Sequence, residues 1–297
     1  MESDISIIIP TFNGRQKIKF TIQSILNQTM EPLEIIVVID GSTDGTKEIL
    51  AQEYGNEINV INQENQGRAC TRNVGAQVAN GSLLLFVDDD IELEPDAVKQ
   101  HLLHHRSHQR SLLVGALFLK DVVNSSDFHS YRQFIENSWY SNLPDYPQPM
   151  AEDNLFVSAA NLSVPKNLFN ELNGFDSSLT DCEDFELGIR AKKAGVDIFF
   201  SKKIRGRHND SISCQQYINR RKAYEAAQSL LNEKNKFEFP SNKWNDPGAF
   251  KKIIYYILSF DFWVFWVDHS LATWIPRSMR YKFYSAIIWS KSHYYRN

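Results

Sequence analysis

Five apolar residues, Leu83-Leu84-Leu85-Phe86-Val87, run directly into three carboxylates, Asp88-Asp89-Asp90. The apolar run has the length and composition of a buried strand in a parallel sheet, although a run this short is also compatible with a helix. Carboxylates do not stay ionised in a core without a partner. The triplet therefore belongs where the strand leaves the sheet, at the C-terminal edge where open α/β sheets bind ligands. Three adjacent acids repel one another, and a divalent cation would relieve that repulsion. The competing reading is a solvated acidic loop, because Glu92, Glu94, Pro95 and Asp96 form a helix-start pattern.

The sequence before this stretch supplies the rest of such a sheet. Ile5 to Ile9 is a β-rich apolar run ended by Pro10, and Thr11-Phe12-Asn13-Gly14 is a loop. Ile18, Ile22, Ile25 and Leu26 then recur at helical spacing. Leu33 to Ile39 reads as a second strand, and Asp40-Gly41-Ser42-Thr43-Asp44-Gly45 as the turn that opens a helix reaching Leu50. A third strand near 58–62 and a helix over about 67–79 lead to the central strand. This β-α-β-α-β-α-β order predicts a doubly wound, Rossmann-like half with right-handed crossovers. Thr11 and Asn13, Asp40 and Asp44, and Asp88 to Asp90 then share one sheet edge, which suits a nucleoside. Neither G-x-G-x-x-G nor G-x-x-x-x-G-K-[ST] is present, so dinucleotide and P-loop readings fail. Without a glycine-rich cradle, a metal would have to carry the charge of a diphosphate.

The 297 residues can bury one large core or two modest ones. A net charge of −4 gives no indication of nucleic acid, but the charge is unevenly placed. Residues 249–297 carry seven Lys/Arg against two Asp/Glu, a net +5, and the residues before them 25 against 34, a net −9. That asymmetry points to a tail meeting an anionic surface. Cys70, Cys182 and Cys214 form neither a metal-ligand spacing nor a disulfide framework, which indicates a reducing cytosol. The opening MESDISIIIP lacks the basic leader and long apolar run of a signal peptide. Residues 211–235 read as a helix and 236–248 as a linker. Residues 253–267 form an aromatic run with a single charge, shorter than the roughly 18–20 residues that span a bilayer. One reading is an interfacial anchor, its rings and the flanking Lys251, Lys252, Arg277, Arg280, Lys282 and Lys291 meeting anionic lipid. The other is a buried helix docked on the α/β domain, or a homodimer contact. His101, His104, His105 and His108 read as an exposed polar helix face.

Ile8 to Asn13, Val38 to Thr46, Asn65 to Gly75, the acidic triplet, Asn173-Gly174-Phe175-Asp176 and Cys182 to Gly188, in that order, resemble family 2 glycosyltransferases over residues 5–210. The resemblance implies a GT-A type α/β fold, a Rossmann-like mixed sheet flanked by helices, with a C-terminal helical appendage. Residues 1–110 would form a nucleotide-binding half, 111–210 an acceptor-side half and 211–297 the appendage. It implies a metal-dependent, inverting transfer of a sugar from a nucleoside-diphosphate donor, a UDP-sugar in the first instance, to a hydroxyl of a glycan or lipid-linked acceptor. The enzyme would be cytoplasmic, peripheral on the inner face of the cell membrane.

Residue by residue, the resemblance places Pro10, Thr11, Asn13, Asp40, Arg72, Asp88 and Asp89 around the donor, with Asp40 on the base. In the D-x-D pattern Asp88-Asp89-Asp90, Asp90 would ligate Mn²⁺ or Mg²⁺, with His208 as a further ligand. Asp184 would be the general base, and Asn161 and Glu183 would lie on the acceptor side. Ala160 stands where the family pattern often has glycine. Residues 121–154 carry no family pattern and read as a loop closing over the donor. Two other functions are a sugar nucleotidyltransferase, which would want a glycine-rich basic loop after the first strand, and a non-catalytic nucleotide-sugar-binding subunit.

Overall fold

The computed structural model describes residues 4–121, 125–141, 143, 147–151, 155–235 and 249–294. Parallel strands covered on both faces need nearly continuous apolar sequence. β1 (Ile5–Thr11), β2 (Glu34–Asp40) and β4 (Leu83–Val87) have it, and of their residues only Glu34 is not buried. With the partly exposed β3 (Asn59–Gln63) they lie parallel in the order β3-β2-β1-β4. The crossovers are α1 (Ile18–Leu26), α2 (Thr46–Glu53) and α3 (Arg68–Val78). The C-terminal ends of these strands therefore meet at one edge, as the sequence predicts.

Beyond β4 the sheet becomes mixed. β5 (Ile91–Leu93) takes up residues that the sequence assigns to a helix start, and α4 (Ala97–Ser107) begins after it. β6 (Ser111–Leu119), α5 (Asp127–Ser141), β7 (Gln148–Pro149), β8 (Asn161–Pro165), α6 (Lys166–Glu171), α7 (Glu183–Lys193) and β9 (Asp197–His208) follow. The order continues β4-β8-β6-β9-β5, with β7 on β9. β8 is antiparallel to β4 and β6, and β5 is antiparallel to β9. Two of these pairings build the site: Val87 opposite Asn161, and Ile91 opposite His208.

The chain forms two compact units, one of residues 1–120 and 141–209 and one of 121–140 and 210–297. The second comprises α5 with α8 (Cys214–Asn235), α9 (Ala249–Leu258), α10 (Asp261–Asp268) and α11 (Arg277–Trp289). Its core joins Phe128 and Tyr131 to Ile218, Val264, Val267, Tyr284 and Ile287. Asp127 accepts hydrogen bonds from Arg280 Nη2 and Tyr284 Oη, each at 2.7 Å. The expectation of a loop over 121–154 is thus corrected for its middle, where Phe128, Tyr131 and Ile135 give a helix an apolar face. Residues 122–124, 142, 144–146 and 152–154 of that stretch, and the linker expected at 236–248, lie outside the described residues.

The exposed histidine face is also corrected. His101 is fully buried and His105 nearly so. The two are one helical turn apart, and they meet Asn161 and Ser163, which β8 directs to one face. His101 Nε2 donates to Asn161 Oδ1 (2.9 Å), Ser163 Oγ donates to His101 Nδ1 (2.7 Å), and His105 Nε2 donates to Ser163 Oγ (2.8 Å). This chain of donors fits two neutral imidazoles, and burial lowers their pKa values, to about 4 for His101 and about 3 for His105. Asn161 also reaches Ile204 O at 3.5 Å. The amide expected on the acceptor side is thus fully buried, with its polar atoms engaged inside the fold.

Candidate active site

The acidic triplet leaves β4 with its three carboxylates in different surroundings. Asp89 turns inward and is buried. Thr11 Oγ1 donates to it at 2.6 Å and Lys17 Nζ pairs with it at 2.8 Å. Burial pushes Asp89 up to about 6, against the opposing pull of Lys17 and Thr11. Gly14 makes this packing feasible, because a Cβ there would run into Thr11 Oγ1 and Asp89 Oδ2. Asp89 thus ties the end of β1 to Lys17 beneath the edge.

Asp90 is half-buried and faces a lysine and an imidazole. Its Oδ2 lies 3.5 Å from Lys17 Nζ and its Oδ1 3.5 Å from His208 Nε2. Burial opposes its charge, but His208 and Lys17 outweigh that and hold it at about 2. The β5–β9 pairing accounts for the approach, since it sets His208 beside the residue that follows Asp90. Among the described residues no group of three or more His, Cys, Asp or Glu side chains is arranged to hold a metal. Asp90 and His208 nevertheless offer one carboxylate and one imidazole side by side. A small divalent ion accepts such a partial set when substrate phosphates and water complete it.

Asp88 points another way, to Arg72. The guanidinium is buried, with Nη2 2.6 Å from Asp88 Oδ1 and Nη1 donating to Glu183 Oε1. Glu183 and Asp184 open α7, where the helix dipole favours acids. Asp184 Oδ2 accepts from Ala159 N at 3.0 Å, in the loop before β8, and Oδ1 from Phe185 N at 2.7 Å. Burial first, and the neighbouring Glu183 second, push Asp184 up to about 7, although Arg72 and the two amides pull it down. One buried arginine thus ties the sheet-edge carboxylate Asp88 to the helix turn that carries Asp184.

On the β2 side, Asp40 is buried and clasps the loop before α3. Its carboxylate accepts from Gln63 Nε2 (2.8 Å), Gln66 N (2.8 Å) and Gly67 N (2.9 Å). Asn13 is exposed and bridges the first two loops, its N donating to Ser42 Oγ and its Oδ1 accepting from Thr43 N, both at 2.9 Å. Asn13, Arg15, Lys17, Thr43, Asp44 and Asn209 line a cleft of about 920 Å³. That is within the usual range of small-molecule sites, and Lys17 places it against the triplet.

Just over half of the chain, residues 6–161, matches the sequence profile described as glycosyl transferase family 2. The chain belongs to that family. An uncharacterized glycosyltransferase of Rickettsia typhi is 29% identical to this family 2 chain over 232 residues, covering 75% of it and 69% of the relative. Glycosyltransferase GlyA of Streptococcus pneumoniae is 31% identical over 147 residues, 49% of this chain and 21% of GlyA. An Escherichia coli chondroitin synthase is 26% identical over 193 residues, 64% of this chain and 27% of the synthase. The chain spans less than a third of the length of several such relatives. The crystal structure of S. aureus TarS superposes with a TM-score of 0.54 at 17% identity, covering 98% of this chain and 54% of TarS, which bears on the fold alone.

Of the residues singled out from the family 2 pattern, the structure gathers Thr11, Asp89, Asp90 and His208 into one cluster. It joins Arg72, Asp88, Glu183 and Asp184 into a second, and consecutive Asp88, Asp89 and Asp90 link the two. Pro10 is buried within β1, opposite Val38. Arg72 and Glu183, expected on the donor and acceptor sides, are buried against each other as an ion pair. Lys17 was missed. Its signal was present in the sequence, because a lysine at the N-terminal end of a helix opposes the dipole and so needs another reason to be there.

Proposed function

We propose that the chain catalyses sugar transfer from a nucleoside-diphosphate donor, a UDP-sugar in the first instance, to a hydroxyl of a glycan or lipid-linked acceptor, with inversion. The observation that carries this reading is the Arg72 fork. Through it Asp184, a carboxylate pushed up to about 7, neighbours the triplet that would hold the donor. A base with a pKa near neutrality is suited to taking a proton from an alcohol at the moment of attack. Asp184 would accept the hydroxyl proton while the acceptor oxygen bonds to the anomeric carbon. The bond from that carbon to the diphosphate oxygen breaks, and its electron pair leaves with the nucleoside diphosphate. Asp90 and His208 would hold Mn²⁺ or Mg²⁺, which supplies charge stabilisation for the leaving diphosphate. The cleft beside Lys17 and Asn13 is large enough for the nucleoside. A glycan acceptor is also what the name of the chondroitin synthase relative suggests.

The test is a thermal-shift panel of UDP-, GDP- and dTDP-sugars with and without Mn²⁺, followed by turnover with the donor so identified. Asp90→Ala should remove the Mn²⁺-dependent part of the shift. Asp184→Asn should keep the donor shift and lose roughly 10²–10⁴-fold in transfer. Undiminished transfer by Asp184→Asn would place the base elsewhere.

A further inference from the structure

Helices at the surface of a water-soluble unit usually bury their apolar side and expose their polar one. Part of the second unit departs from this. α9 exposes Ile253, Tyr256 and Ile257, and α10 exposes Phe262 and Phe265 while burying Val264 and Val267. Trp274, in the connection to α11, is 75% exposed. Ten of the twenty exposed large apolar side chains among the described residues fall between 253 and 279. Such a concentration marks a contact surface, whereas the same residues scattered singly would need no explanation.

The charges around the patch indicate what that contact is. Lys251, Lys252, Arg277 and Lys282 are exposed. The two acids of the region are both engaged: Asp261 with Lys291 Nζ at 2.5 Å, and Asp268 with the backbone amides of Cys214 and Gln215. Rings interleaved with lysine and arginine fit the headgroup level of an anionic bilayer. A two-fold contact between copies of this face would instead bring two positively charged surfaces together. Among the described residues no helix is long and apolar enough to cross a membrane. The ten residues of α9 reach about 15 Å, half of a hydrocarbon core of about 30 Å.

We propose that the surface formed by α9, α10 and the connection to α11 lies in the plane of an anionic lipid bilayer, its apolar side chains below the headgroups and its lysines among them. The inference does not rest on the transferase reading, because lipid association is measured without donor or acceptor. The full chain is mixed with phosphatidylcholine vesicles with and without phosphatidylglycerol, and bound protein is followed by flotation and by tryptophan emission. Binding to the phosphatidylglycerol vesicles is expected, weakened by salt and accompanied by a blue shift. Trp274→Ser and Ile257→Asp should each weaken it about tenfold or more, with the melting temperature unchanged because both side chains are exposed. Lys251→Glu with Lys282→Glu should weaken binding to the anionic vesicles alone. Failure to bind either vesicle, or equal binding to both, would overturn the proposal. So would a concentration-dependent dimer in sedimentation that Trp274→Ser dissolves, since the face would then be a protein contact.

Discussion

Replacing Arg72 with methionine keeps much of the side chain's length and removes its charge. Two carboxylates then lose a partner, and their surroundings set the costs. The Glu183 side chain is only 5% exposed and cannot recover its solvation, whereas Asp88 is 32% exposed and can rehydrate. Removing one member of a buried ion pair costs about 3–5 kcal/mol, and an exposed pair is worth about 0–1 kcal/mol. The loss should therefore be about 3–5 kcal/mol, nearly all of it through Glu183. Urea unfolding of the single variants and of Arg72→Met with Glu183→Gln measures this directly, because the second change should recover most of the loss. Catalysis reports separately. Arg72 is the cation that opposes burial at Asp184, so its removal should raise that pKa beyond about 7. The acid limb of the kcat/KM profile then moves to higher pH, while Arg72→Lys, which keeps the charge, leaves the limb near its original place. A loss under about 1 kcal/mol together with an unmoved acid limb would show that Arg72 does not couple the two carboxylates.

Other outcomes follow from the same geometry. His101 is neutral in the fold with a pKa near 4 and ordinary, near 6.5, when unfolded, so the unfolded chain binds more protons between those values. Stability is therefore complete above about pH 6.5 and falls by about 3 kcal/mol towards pH 4 from this residue alone. His101→Gln should flatten that part of a pH series of urea midpoints. Gly14→Ala places a methyl group between Thr11 and Asp89; about 1–3 kcal/mol of stability and the donor-induced thermal shift should be lost together. In His208→Ala the Mn²⁺-dependent part of that shift should shrink while the metal-free part stays, as read in the same thermal-shift panel.

The parallel half of the fold was legible because its information is local. A strand covered on both faces must be continuously apolar, as Ile5 to Ile9 and Leu83 to Val87 are, and each is punctuated by a turn. The later strands carry no comparable signal. β5 has three residues behind an acidic helix-start pattern, and only its pairing with β9 makes it a strand. That long-range pairing is also what brings His208 to Asp90, and spacing in the chain cannot show it. The same limit applies to the histidines of α4. Their helical spacing was plain, but the residues opposite them come from β8, some sixty positions away, so an interior polar network looked like a solvated face. In the acidic triplet the residue type was readable and the division of labour was not. Asp88, Asp89 and Asp90 are consecutive, yet their partners are Arg72, then Thr11 with Lys17, then Lys17 with His208. Those partners come from a helix, a strand end and loop, and the far end of β9. Three like charges can sit together at this edge because Arg72 meets Asp88 and Lys17 lies between Asp89 and Asp90, two cations from different parts of the first unit. A substitution in the triplet should therefore produce three distinct defects rather than one graded loss of charge.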